Sequence, residues 1–128
     1  MEEHSNVSVA RKGLEAFASG DIEGATAGWA DDVVWHVPGN HRWSGTYTGK
    51  PAVMEFVMQS LQDTQRAIEV HDVVGNDQHV VALVRLTLTK GDASASGESA
   101  WVMHVSDGQM KEFWAINSNQ PEIDRLMA

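Results

Sequence analysis

His36 lies in the run Val33-Val34-Trp35-His36-Val37, between Asp31-Asp32 and Pro38-Gly39. β-Branched and aromatic residues ended by a Pro-Gly pair mark a strand. On it Val34 and His36 share one face, and Val33, Trp35 and Val37 share the other. A neutral imidazole among apolar side chains can remove an acidic proton from carbon or activate water. The alternative is a histidine hydrogen-bonded to backbone or to a neighbouring side chain. Glu112 and Trp114 share one face of the last strand segment. Burial of Glu112 beside the indole would raise its pKa and let it act as an acid. The competing role is an exposed glutamate, or one salt-bridged near Lys111 or Arg85. Trp43 and Tyr47 can place an indole and a hydroxyl at a cavity mouth, or simply pack under their loop. Trp101 and Met103 fall on one strand face, opposite His104, and suit a cavity wall. His36 and Glu112 are thus the expected catalytic pair. Val34, Trp43, Tyr47, Trp101, Met103 and Trp114 are the expected ligand contacts.

Other chemistries find no footing. The chain has no cysteine, which removes disulfides, thiolate metal sites and thiol catalysis. Six histidines are present, yet none are spaced HxH or HxxxH, so no metal site is expected. Nucleotide-binding glycine motifs and a nucleophile elbow are missing, and no cofactor is expected.

The elements that must position these residues follow from periodicity. Val7, Ala10, Leu14 and Phe17 recur at helical spacing up to Ser19-Gly20. Asp21 caps a short second helix carrying Ile22, Ala25 and Trp29. After the His36 strand, residues 40–48 read as a loop. Gly49-Lys50-Pro51 then opens a third helix with Val53, Phe56, Val57 and Leu61 on its buried stripe. Turns at Gly75-Asn76-Asp77, Lys90-Gly91-Asp92 and Asp107-Gly108 divide the rest into strands 66–74, 78–89, 94–106 and 109–117. Helices first and strands afterwards predict an α+β fold with an antiparallel meander. Val80-Val81-Ala82-Leu83-Val84 is apolar on both faces, so the sheet needs cover twice. Helices are expected on one side and a second subunit on the convex other side, as a homodimer.

One domain is expected over 1–128, a length that can bury its own core. Hydrophobic residues make up 42% and charged residues 21%, a globular composition. Nine basic residues against eighteen acidic ones give a net charge of −9, which repels nucleic acid and anionic membranes. No apolar run approaches a membrane span of ~20 residues, and the N-terminus lacks a signal-peptide pattern. The expected location is the cytoplasm.

The order of elements resembles the nuclear transport factor 2-like superfamily, in its SnoaL-like and ketosteroid-isomerase-like branch. The residues that carry it are Gly20-Asp21, the stretch from Trp29 to Gly39, Ser44 to Val53, and Asp107 to Trp114. The resemblance implies a cone-shaped curved sheet with three N-terminal helices enclosing a pocket for a small apolar or cyclic organic molecule. It also implies a cofactor-independent isomerase, polyketide-cyclase-like enzyme, dehydratase or hydrolase, or else a non-catalytic carrier or sensor. His36 matches the place of the isomerases' general-base aspartate. Their tyrosine and neutral acid have no counterpart here: Phe17 and Trp101 stand where these are expected, which argues against a steroid isomerase. Glu112-x-Trp114 resembles a pattern of the cyclases, but Ala115 replaces the acid that follows it there.

Overall fold

A computed structural model describes residues 3–128. Helix α1 spans Ser5–Ala18 and buries Val7, Ala10 and Leu14, the stripe set by its spacing. Helix α2 is Ile22–Thr26, and the Asp21 carboxylate caps it by accepting from the Gly24 N–H at 2.9 Å. Strand β1 (Trp29–Val37) leads through a loop to β2 (Gly45–Thr48) and then to α3 (Lys50–Asp63). Strands β3 (Gln65–Gly75), β4 (His79–Lys90), β5 (Ala93–Ser106) and β6 (Gln109–Asn117) follow, and α4 (Gln120–Leu126) ends the order.

The meander forms as the turn residues predict. At its last hairpin Asp107 and Gly108 both take positive φ, 55° and 76°, as a tight two-residue turn requires. The sheet order is β2-β1-β6-β5-β4-β3. All neighbours are antiparallel except β1 and β6, which run parallel. Register shifts interrupt the ladders between Val70 and Asp72, between His104 and Val105, and between Trp29 and Val34. Such bulges bend and twist a sheet. The result is a curved, unclosed sheet with helices against one face. That face carries the core: Trp35, Val80, Ala82, Val84, Leu86, Trp101, Met103 and Phe113 pack with Val53, Phe56 and Val57 of α3.

Two elements were not expected. Residues 45–48, read as loop, form β2, which pairs with β1. Helix α4 packs on the core through Ile123, joined by Met127 just past its C-terminus. It also holds the loop after β1. Gly39 has φ 89°, and a Cβ there would collide with Gln120 and Asp124. The Asp124 carboxylate accepts from the Asn40 N–H at 3.0 Å and from the Gln120 amide at 2.9 Å.

Candidate functional site

Between the sheet and the helices lies a cavity of about 460 Å³. Its walls are mainly apolar. Trp101, Met103 and Phe113 come from the sheet, Leu14 and Phe17 from α1, Phe56 from α3, and Ile123 from α4. Trp35 stacks on Phe113 with ring centroids 4.3 Å apart, and Trp101 meets the same ring edge-on at 5.5 Å. These aromatics form a rigid wall, as offset and edge contacts favour.

The expected site residues divide between two places. Trp43, Trp101 and Met103 line the cavity. Tyr47 does not line it. Its ring stacks on Phe56 at 4.4 Å and its hydroxyl donates to the Trp43 carbonyl at 2.9 Å, so it supports the loop from behind. Val34, Glu112 and Trp114 lie on the opposite, outer face of the sheet. Register is the reason. Trp35 pairs with Phe113, and Phe113 with Met103, along one face. His36 pairs with Trp114, and Val34 and His104 with Glu112, along the other. Strand alternation then separates the two sets. The segment Trp35 to Pro38 borders the cavity, His36 included, but the His36 ring is bonded on the outer side.

There a polar relay replaces the expected acid–base pair. His36 Nε2 lies 2.6 Å from one Glu112 oxygen, and His104 Nδ1 lies 3.0 Å from the other. His104 Nε2 in turn meets His79 Nε2 at 2.8 Å, while Thr46 Oγ1 stands 3.1 Å from His36 Nδ1. A consistent proton assignment has both His36 Nε2 and His104 Nδ1 donating to the carboxylate and the His79 N–H donating to His104. The bond from His36, and then that from His104, outweighs desolvation and holds the Glu112 carboxyl below its usual range. This is the reverse of the raised pKa expected for an acid beside an indole. The side chains of His36, Glu112 and His104 keep 39%, 32% and 40% of their surface, so the relay is open to solvent. Among the described residues no group of three or more histidines and carboxylates is arranged to hold a metal ion.

Two cavity residues escaped the sequence reading. His41 lines the cavity on the loop that α4 holds. Burial lowers its pKa, Asp124 opposes that shift, and Arg66 adds to it. The Trp43 N–H donates to His41 Nδ1 at 3.1 Å, so the neutral ring carries its proton on Nε2. Arg66, on the inward face of β3, also lines the cavity, and burial pulls its pKa to about 10. Arg66 was legible in principle: it alternates in step with Ile68 and Val70, which pack on the core, and a charge on an apolar face is a signal. Nothing local marks His41, because a loop has no periodicity.

Among the described residues no helix is long and apolar enough to cross a membrane. The Mycobacterium tuberculosis protein Rv0034, itself uncharacterized, is 29% identical over 125 residues, covering 90% of this chain and 92% of its own. An NTF2-like protein of unknown function from Burkholderia pseudomallei superposes with a TM-score of 0.87 at 22% identity, covering 100% of this chain and 99% of its own. TerC, co-crystallized with polyporic acid, superposes with a TM-score of 0.85 at 19% identity, covering 96% and 98%. At these identities the structures establish a shared fold. The SnoaL-like domain family matches residues 10–113, which is most of the chain. The chain therefore belongs to the SnoaL-like domain family, and it shares the fold of an NTF2-like protein.

Proposed function

We propose that the domain binds a small, largely apolar, cyclic molecule in its internal cavity and acts on it by cofactor-independent proton transfer. The observation that carries this reading is the cavity itself. Its volume of about 460 Å³ falls within the ~300–1,000 Å³ usual for small-molecule sites. Its aromatic and aliphatic walls, with few polar groups, fit the same class. The co-crystallization of TerC with polyporic acid is a property of that protein, and it supports the idea that this fold accepts a small organic guest.

The acid–base role moves from His36 to His41, since His41 shares the cavity with Trp101 and Met103. In the tautomer set by the Trp43 N–H, the His41 Nε2–H is a donor, and it exchanges the Pro38 carbonyl for a guest's oxygen. A neutral imidazole donor can polarise a carbonyl or protonate a developing enolate. A carrier or sensor would use the same cavity without turnover.

We also infer that a second copy of the chain covers the outer sheet face. Val74, Leu83 and Ile116 leave 50%, 40% and 61% of their surface exposed there, around the relay of His36, Glu112 and His104. An apolar patch of this kind suits self-association.

The test is a titration with N-phenyl-1-naphthylamine, a neutral dye that brightens in apolar surroundings. Saturable one-to-one binding that Trp101→Ala weakens and Trp114→Ala leaves intact supports the cavity reading. Absence of saturable binding defeats it.

A further inference from the structure

We infer that the cavity's guest carries an anionic group, a carboxylate or enolate oxygen, which Arg66 receives. This inference rests on the cavity reading above and names the substrate class for it.

The first ground is the charge inventory of the wall. The chain has eighteen acidic and nine basic residues. Among the described residues, the cavity lining nevertheless includes Lys12 and Arg66 and not one aspartate or glutamate. A randomly drawn wall of so acidic a chain would be expected to show the opposite bias.

The second ground is that Arg66 is left without a counter-ion. Its Nη2 donates to Ser60 Oγ at 2.9 Å, and Ser60 is fully buried. Among the described residues it makes no other side-chain hydrogen bond and no salt bridge. Asp63, three positions earlier, already serves Arg42 at 3.3 Å and Lys90 at 3.6 Å. Guanidinium offers five N–H donors in a planar fork, and a single bond to serine uses one of them. A charge placed away from water is costly unless it is paired. Yet this one stays protonated at neutral pH, with its pKa at about 10. An arginine fork is shaped for two oxygens of a carboxylate or for one oxyanion.

The third ground is the sign of the remaining polar atoms. The Asn117 side chain is spent on Ser99 and Gln120, at 2.6 and 2.8 Å. His41 Nδ1 accepts from the Trp43 N–H, and the ring's own N–H is directed to the Pro38 carbonyl. The unused N–H groups of Arg66 therefore call for acceptors on the guest. The protein's net negative charge repels anions at long range, so recognition must act locally in the cavity.

Isothermal titration calorimetry with 2-naphthoate and 2-naphthamide tests this, because the two probes share a ring system and differ in charge. The wild type should bind 2-naphthoate at least about tenfold more tightly, the lower end for a charge-assisted contact. Arg66→Met should erase the difference between the probes. The Arg66 Nε–H resonance should also shift with 2-naphthoate and not with 2-naphthamide, a readout in the wild type that requires no variant to fold. If 2-naphthamide binds as tightly as 2-naphthoate, the anion proposal falls and the cavity reading stands. If neither probe binds, the cavity reading falls and takes the proposal with it. A preference that survives in Arg66→Met, or an unmoved Arg66 resonance, overturns the assignment to Arg66.

Discussion

Adjacent residues on β6 offer a sharp test of which sheet face is the working one. Phe113 is 8% exposed, stacks on Trp35 at 4.3 Å, and lines the cavity. Its neighbour Trp114 faces outward, with its ring 5.1 Å from that of His104 and 6.3 Å from that of His36. Phenylalanine-to-alanine changes in cores cost about 3–5 kcal/mol. Phe113 borders existing space, so part of its ring lacks packed neighbours and the cost should sit near ~3 kcal/mol. Trp114 is only partly buried, and its truncation in a single subunit should cost less, about 1–2 kcal/mol. Urea unfolding of both variants, with m-values compared, measures the difference. N-phenyl-1-naphthylamine titration of the same samples adds a functional reading: Phe113→Ala should change affinity and Trp114→Ala should not. Equal destabilisation, or loss of dye binding on truncating Trp114, would refute the assignment of faces and with it the cavity account.

Further outcomes follow from the same geometry. The Glu112 carboxyl is held below its usual value by the bonds from His36 and His104, so its stabilisation is present above the unfolded value near 4.5 and is lost as pH falls through the folded pKa. Glu112→Gln should lower stability at pH 7 and flatten its decline below about pH 4.5; an unchanged acid limb in denaturant melts counts against the relay. Burial depresses the His41 pKa, so an NMR titration should place its midpoint below 6.5, with the neutral ring favoured in the folded state. Stability linked to His41 should then be full above that unfolded value and fade as pH drops through the folded one; a midpoint at or above 6.5 contradicts its burial. Sedimentation should find a dimer at micromolar concentration, and Ile116→Lys should shift it towards monomer. A wild-type monomer defeats the outer-face pairing.

Much of the architecture could be read before any coordinates. The strands expected at 66–74, 78–89, 94–106 and 109–117 agree with β3 to β6 within about one residue at each end, because alternation and Asp107-Gly108 act locally. Strand β2 escaped because its four residues, Gly45 to Thr48, gain their order only by pairing with β1. Helix α4 is seven residues long and is held by tertiary contacts of Ile123 and Met127. The site was harder. Period two correctly grouped Val34 with His36, Glu112 with Trp114, and Trp101 with Met103. Which groups share a face depends on register between distant strands, and that is a non-local quantity. The cavity histidine and arginine come from a loop and a strand start, joined only in three dimensions.

The central claim is that the cavity, rather than the histidine-rich outer face, receives the ligand. Chemical-shift mapping with N-phenyl-1-naphthylamine addresses it most directly. The account predicts saturable shifts at the Trp101 indole, the Met103 methyl and the Phe113 ring, with Trp114 and Ile116 unmoved. Shifts concentrated at Trp114, Ile116 and His104, with Trp101 and Met103 silent, would contradict it.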